Sequence, residues 1–226
     1  MKPLVIVGCG NMAKTLAPYL KEKYQLVGYA LDKKYISSET YEGLPVYPFE
    51  SIEAYLDPED VCFAVAIGFQ DMNLIRESKF NEMKAKGFQP AQLVLNPRIE
   101  GHGVEVAKGS IILEHTSIHA GSVIGENTFI STGVDIGHNC KIGKNVWINS
   151  GVTIAGDVEI GDNSVLGVGA TIGNNIAIAQ CNFIGAGALV VKNTKKNETY
   201  AVKQSESLPI NSRDFLKLSS IHRSNH

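Results

Sequence analysis

Two different periods of apolar residues divide the chain. From Val106 onward an aliphatic residue recurs at every sixth place: Val106, Ile112, Ile118, Ile124, Ile130, Ile136, Ile142, Ile148, Ile154, Ile160, Leu166, Ile172, Ile178, Ile184 and Val190. No position in this run slips register. Six residues advance about 600° around a helix of 3.6 residues per turn, so a helix would scatter these side chains around its surface. An even period keeps them on one side of a strand. Two places before the aliphatic residue stands a small or β-branched one, as at Thr116, Ser122, Thr128, Val134, Cys140, Val146, Val152, Val158, Ser164 and Ala170. Directly after it comes glycine at Gly125, Gly137, Gly143, Gly161, Gly173 and Gly185, read as relaxing the turns between short strands. Period six makes three faces and three corners per eighteen-residue coil, with each aliphatic side chain stacked on its equivalent in the next coil. Neighbouring coils are expected about 4.8 Å apart, as in other sheets. The run thus predicts a parallel β-helix, a stiff prism with an apolar interior and outward side chains free for function.

Before residue 97 the period changes. "PLVIVG" predicts a short apolar strand, and Met12, Leu16 and Leu20 predict a helix behind it. "QLVGYALD" predicts a second strand ending at Asp32, followed by a short strand near Val46 and a helix near Ile52–Leu56. The strand "VCFAVAIG", an amphipathic helix from about Asp71 to Lys86 and a last strand near Gln92–Leu95 complete the series. Strands alternating with helices predict a small Rossmann-like parallel sheet with helices on its faces. Pro97, Gly101 and Gly103 mark the expected junction. The expected units are an α/β domain over 1–97, the β-helix over 98–200 and a tail over 201–226.

The net charge of the 226-residue chain is -2, and its basic residues are interspersed with acidic ones. There is no basic footprint for nucleic acid and no apolar run long enough to span a bilayer. The N-terminus shows no secretory pattern, so a cytoplasmic location is expected. Cys9, Cys62, Cys140 and Cys181 lack Cys-x-x-Cys spacing and read as small buried thiols.

Gly8, Gly10 and Ala13 form Gly-x-Gly-x-x-Ala between the first strand and helix, and Asn11 and Met12 open that helix. Such a turn presents backbone N–H groups to phosphate oxygens. Asp32 stands where an acidic residue accepts hydrogen bonds from a ribose or base, and Gly68 ends another strand on the same side. Arg76 follows one or two helical turns later. Fewer than 100 residues leave no room for two mononucleotide halves, so a single nucleotide is the expected ligand. In the prism, His138 occupies an outward corner between Ala120 and Gly156, its small neighbours one coil before and after. Trp147 falls outside the ladder, where an aromatic either packs internally or covers a surface between subunits.

A small nucleotide-binding sheet fused to hexapeptide repeats resembles the sialic acid O-acetyltransferase-like and bacillosamine N-acetyltransferase-like sugar acyltransferases. The resemblance rests on "VIVGCGNMA" with Asp32, on "VAIG" before a helix, and on "STGVDIGHNCKIGKNVWINSGVTIAGDVEIGDNSVLGVGATI". It implies a left-handed coil, a cytoplasmic homotrimer without a metal, and transfer of an acetyl group from acetyl-CoA to a nucleotide-linked amino sugar, for cell-surface glycan synthesis. It places the general base at His138 and an oxyanion-binding N–H at Gly156. Pantetheine contacts fall around Gly167, Gly169, Ala170, Gly185 and Gly187, and UDP or dTDP lies in the first domain at Gly8, Gly10, Asn11, Met12, Asp32 and Gly68. Imidazole, with an unperturbed pKa of about 6.5, suits proton removal from an attacking amine or hydroxyl.

Two features depart from that pattern. The family places an acid directly after the histidine and often one before it, whereas here these are Asn139 and Gly137; Asp157 or Asp135 is the expected substitute. The family also ends in Gly-x-Pro-Ala-Lys near the CoA adenine, whereas this chain reads "YAVKQSESLPINSRDF". Alternative readings are O-acetylation of a free sugar such as a sialic acid, or a non-catalytic or carbonic-anhydrase-like hexapeptide protein. The last would need His115, His119 and His138 to converge across subunits.

Overall fold

The computed structural model describes residues 1–95 and 103–221; Pro97, Gly101, His222 and His226 lie outside the described residues. The first module is a six-stranded sheet made of β1 (Pro3–Val7), β2 (Gln25–Leu31), β3 (Thr40–Tyr41), β4 (Leu44–Pro48), β5 (Cys62–Val65) and β6 (Gln89–Pro90). Its order is β3-β4-β2-β1-β5-β6, parallel except for β3 against β4. Alternate residues of β1 feed opposite cores, as the strand period requires. Leu4 and Ile6 pack with Leu16 and Leu20 of α1 (Asn11–Lys23), whereas Val5 and Val7 pack with Phe80 and Met83 of α2 (Leu74–Ala85). The chain leaves β1 for β2 on one side and reaches β5 on the other, creating a switch point at the carboxyl ends of these three strands.

Two boundaries differ from the sequence expectation. α2 begins at Leu74 rather than near Asp71, because Asp71, Met72 and Asn73 all have left-handed φ angles, +49°, +49° and +67°. The strand near Gln92–Leu95 does not complete the first sheet. That strand, β7 (Leu93–Val94), pairs with Ile111–Ile112 and opens the β-helix, because the apolar side chain of Val94 caps the interior ladder.

The β-helix is built from two-residue strands paired at an eighteen-residue spacing, as in Phe129↔Trp147 and Ile130↔Ile148. Val106 is half-buried, and every later ladder residue is at most 6% exposed. Thr199–Tyr200 pairs with Phe183–Ile184 and prolongs one face beyond Val190. The glycines after the ladder residue serve a purpose other than the expected one. They keep ordinary φ, and a Cβ at Gly137 would lie 2.5 Å from the backbone N of Gly156, and one at Gly125 2.5 Å from the backbone of Gly143. Close approach of successive coils excludes the side chain. The left-handed corner lies two residues further on, at Gly121, Gly133, Gly151, Gly169 and Gly187, and at Asn127, Asn139, Asn145, Asp157, Asn163 and Asn175. Asn and Asp tolerate this region better than other residues with a Cβ.

The first module covers one face of the prism. Ile111, Phe129, Trp147 and Val165 point outward from that face, yet they are buried in the same cluster as Leu4, Ala13, Leu16 and Leu20. Trp147 therefore packs internally: its ring stacks on Phe129 at 4.1 Å between centroids and meets Phe69 at 5.5 Å. Beyond Tyr200 the chain is exposed up to α3 (Ser212–Ile221). Among the described residues no helix is long and apolar enough to cross a membrane.

Candidate active site

Gly8, Gly10, Asn11, Met12, Asp32 and Gly68 all line one cleft of about 690 Å³ at the switch point of the first sheet. Gly8 has φ +111°, and a Cβ there would lie 2.9 Å from the Ala66 carbonyl oxygen, so the turn itself demands glycine. At Gly10 and Gly68 a Cβ would meet nothing within 4 Å, which leaves their backbones open to a ligand. Gly10 is the N-cap of α1, with no side-chain cap and no acidic residue in the first turn. The unpaired N–H groups there favour an anion. Lys34 adds positive charge to the cleft, and Lys79 lines it as well. Asp32 pairs with Lys79 at 2.5 Å, and the same ammonium lies 3.8 Å from the centroid of Phe49. Cys9 is half-buried in the wall rather than fully buried, and burial pushes its thiol up. Cys181 is half-buried too, whereas Cys62 and Cys140 are buried.

Arg76 is not in the cleft. It is 1% exposed, donates to the carbonyl and side-chain oxygens of Asn127 at 2.7 and 3.3 Å, and lies over Trp147 at 5.4 Å. Burial pushes its pKa down to about 9, still above neutral, so the guanidinium remains charged at pH 7.

His138 stands on the edge of the prism opposite the covered face, between the strands Asp135–Ile136 and Lys141–Ile142. Its imidazole is more than half exposed, and Nδ1 lies 3.7 Å from Asp157 Oδ2. Asn139 reaches both groups, with Nδ2 3.3 Å from His138 Nδ1 and donating to Asp157 Oδ1 at 3.1 Å. Asp157 accordingly takes the place beside the ring, while Asp135 faces His119 at 3.8 Å. The arrangement follows from coil stacking: Asn139 and Asp157 are corner residues eighteen apart, and their left-handed backbones aim both side chains along the same edge. Gly156 lies under the imidazole, so close that a Cβ would come within 2.5 Å of Nε2. Its N–H donates to no protein acceptor among the described residues.

The other predicted prism residues are placed differently. The amides of Gly167, Gly169, Ala170, Gly185 and Gly187 donate to Ile184, Ser150, Gly167, Tyr200 and Val168 carbonyls respectively. Ala170 is fully buried in the prism interior, and Gly167 and Gly185 are buried, leaving Gly169 and Gly187 exposed on this edge. This edge is a different one from that of His138. Among the described residues no group of three or more His, Cys, Asp or Glu side chains is placed to hold a metal ion.

Sequence reasoning missed the contacts that join the modules. Asn73 is fully buried and donates to the carbonyls of Asn163 and Ser164. The asparagines spaced by eighteen, Asn127, Asn145 and Asn163, were the available signal.

The bacterial transferase hexapeptide family matches residues 121–156 and 139–174, and the PglD N-terminal domain family matches residues 3–83. Together they define a hexapeptide-repeat protein whose prism carries a small α/β module with an open cleft at its N-terminus. The chain thus joins a segment similar to the PglD N-terminal domain to a run of bacterial transferase hexapeptide repeats. Among solved structures, it is similar to the acetyltransferase domain of PglB from Neisseria gonorrhoeae, with 25% identity over 88% of this chain and 96% of that one and a TM-score of 0.71. PerB from Caulobacter crescentus, in complex with CoA and GDP-perosamine, shares the fold at 24% identity, 89% and 93% coverage and a TM-score of 0.73. WeeI from Acinetobacter baumannii does so at 20% identity, 88% and 96% coverage and a TM-score of 0.72. Among curated protein sequences none matches the chain.

Proposed function

We propose that this protein is a cytoplasmic acetyltransferase that moves the acetyl group of acetyl-CoA to the amino group of a nucleotide-linked amino sugar used in cell-surface glycan synthesis. His138 Nε2 removes the amine proton as the nitrogen attacks the thioester carbonyl, and Asp157, steadied by Asn139, supports the imidazolium that forms. The Gly156 N–H supports the oxyanion of the tetrahedral intermediate, which collapses with expulsion of the CoA thiolate. The nucleotide occupies the cleft, with its phosphates at the N-terminus of α1 and its ribose or base near Asp32. The pantetheine arm follows the edge that exposes Gly169 and Gly187. The similarity to an acetyltransferase domain at 25% identity supports the reaction class.

The observation that carries this reading is the imidazole, carboxylate and glycine grouped on an open edge. The cleft module sits on the opposite face of the same prism. A face of six residues at about 3.3 Å per residue is at most about 20 Å wide, so the edge stands on the order of 15 Å behind the covered face, with the packed interior between. A sugar held in a chain's own cleft faces away from its own His138. The site is complete only when a neighbouring copy brings its His138 to that cleft, as in a closed homotrimer.

Thiol release from acetyl-CoA with an amino sugar nucleotide tests the reaction, and His138→Ala should abolish most of it; near-normal turnover refutes the assignment. Coexpression tests the shared site. His138→Ala chains and Gly10→Leu chains, each inactive alone, should regain roughly a quarter of wild-type turnover when mixed, since random assembly pairs an intact cleft with an intact histidine at one interface in four. No recovery would place both halves of the site in one chain.

A further inference from the structure

An ion pair is relayed from the first module through the prism and back. Arg76 Nη2 donates to Asn127 Oδ1, Asn127 Nδ2 donates to Asn145 Oδ1 at 2.8 Å, and Asn145 Nδ2 donates to Asn163 Oδ1 at 3.2 Å. Asn163 Nδ2 then donates to Glu77 Oε2 at 2.6 Å. The cation and the anion are consecutive residues of α2, and the three amides between them point the same way, oxygen toward the guanidinium and nitrogen toward the carboxylate. The three amides are buried corner residues in successive coils, each in the left-handed conformation. The column is bounded. One coil before Asn127 stands Gly109, on which the Phe80 ring of α2 packs so tightly that no Cβ would fit. One coil after Asn163 stands Cys181.

Apolar contacts between the modules are not directional and tolerate sliding, whereas this column does not. Moving α2 by one coil, about 4.8 Å, would bring Arg76 to a corner without an amide at one end, or Glu77 to a thiol at the other. Fixing register is the best-attested use of buried polar groups. The same helix walls the cleft through Ile75 and Lys79, and the three-residue left-handed turn before it is tied to the prism by Asn73. We propose that the Arg76–Asn127–Asn145–Asn163–Glu77 column is a register key that sets the level of the nucleotide cleft along the prism, and that Asn145 is thereby a positioning residue for acyl transfer. The catalytic part of this inference rests on the function proposed above.

Asn145→Gly removes the middle amide while accepting the left-handed backbone, and Asn145→Asp keeps the volume but turns an oxygen toward Asn163 Oδ1. In both, kcat should fall roughly tenfold or more, because the sugar is presented off line. The KM for acetyl-CoA and the affinity for UDP, dTDP or GDP, whichever the wild type binds, should stay within about twofold, since neither pocket is altered. Backbone amides of α2 should exchange with deuterium roughly tenfold faster or more. Wild-type kcat in either variant overturns the positioning role, as does a loss that disappears when the assay is run well below the melting temperature. Wild-type α2 exchange overturns the register key. If wild-type protein turns over no amino sugar nucleotide, the proposed function fails, and the exchange measurement alone then decides the key.

Discussion

Replacing Gly156 with alanine separates catalysis from folding. Its backbone is outside the left-handed region, so alanine meets no dihedral strain. The new methyl would lie 2.5 Å from His138 Nε2, 2.6 Å from Cε1 and 3.0 Å from Cδ2. Ordinary contact requires about 3.5 Å or more, so the ring must retreat by about 1 Å or rotate toward solvent. It is free to do so, because the imidazole is more than half exposed and an off-rotamer torsion costs only about 0.5–1.5 kcal/mol. A shift of that size at a reacting group costs on the order of 100-fold in rate. That loss corresponds to about 2.7 kcal/mol of transition-state stabilisation. Gly137→Ala makes the opposite prediction: its methyl meets backbone, 2.5 Å from Gly156 N and 2.6 Å from Ala155 C, and nothing flexible can yield. That variant should lose about 1–3 kcal/mol of stability. Thiol release under saturating substrates, with thermal melting of the same preparations, reads both quantities. Near-normal turnover in Gly156→Ala would refute the placement of the reacting atoms beside the His138 ring.

Two further outcomes follow from the prism. Asp157→Asn keeps an acceptor for Asn139 but removes the charge 3.7 Å from His138 Nδ1. Because both groups are well exposed, the lost attraction is discounted to about 1 kcal/mol, a fall of roughly fivefold to tenfold in kcat without change in melting; an unchanged rate rejects the supporting role. Ile148→Ala opens a cavity in the ladder between Ile130 and Leu166 and should cost about 2–5 kcal/mol in denaturant unfolding, and a loss below about 1 kcal/mol would contradict tight coil stacking.

The β-helix was legible because its environment repeats. A residue and its equivalent eighteen places on face the same neighbours, so Ile130, Ile148 and Leu166 write the stacking rule into the chain before any fold is known. The cleft was legible for a local reason: Gly8, Gly10 and Asp32 sit in the segments that follow adjacent strands, and the left-handed φ of Gly8 belongs to its own turn, although the close approach of Ala66 to it does not. The role of the ladder-following glycines was not legible, because absence of a Cβ looks the same in sequence whether it serves a left-handed turn or a close approach.

Tertiary structure alone decided which face the first module covers, and hence that His138 is on the far edge from its own cleft. It decided that Asp157 and not Asp135 lies beside the imidazole, a choice between two carboxylates that only the direction of the corner backbones separates. It also decided that Arg76 leaves the cleft for Asn127. The first rests on an apolar cluster shared by the two modules, and the other two on single directional contacts between residues of different elements. Of the partners only Asn127 belongs to a periodic set, with Asn145 and Asn163, and nothing in the spacing names Arg76 as what it meets, whereas the stacked coils impose their rule on every sixth residue.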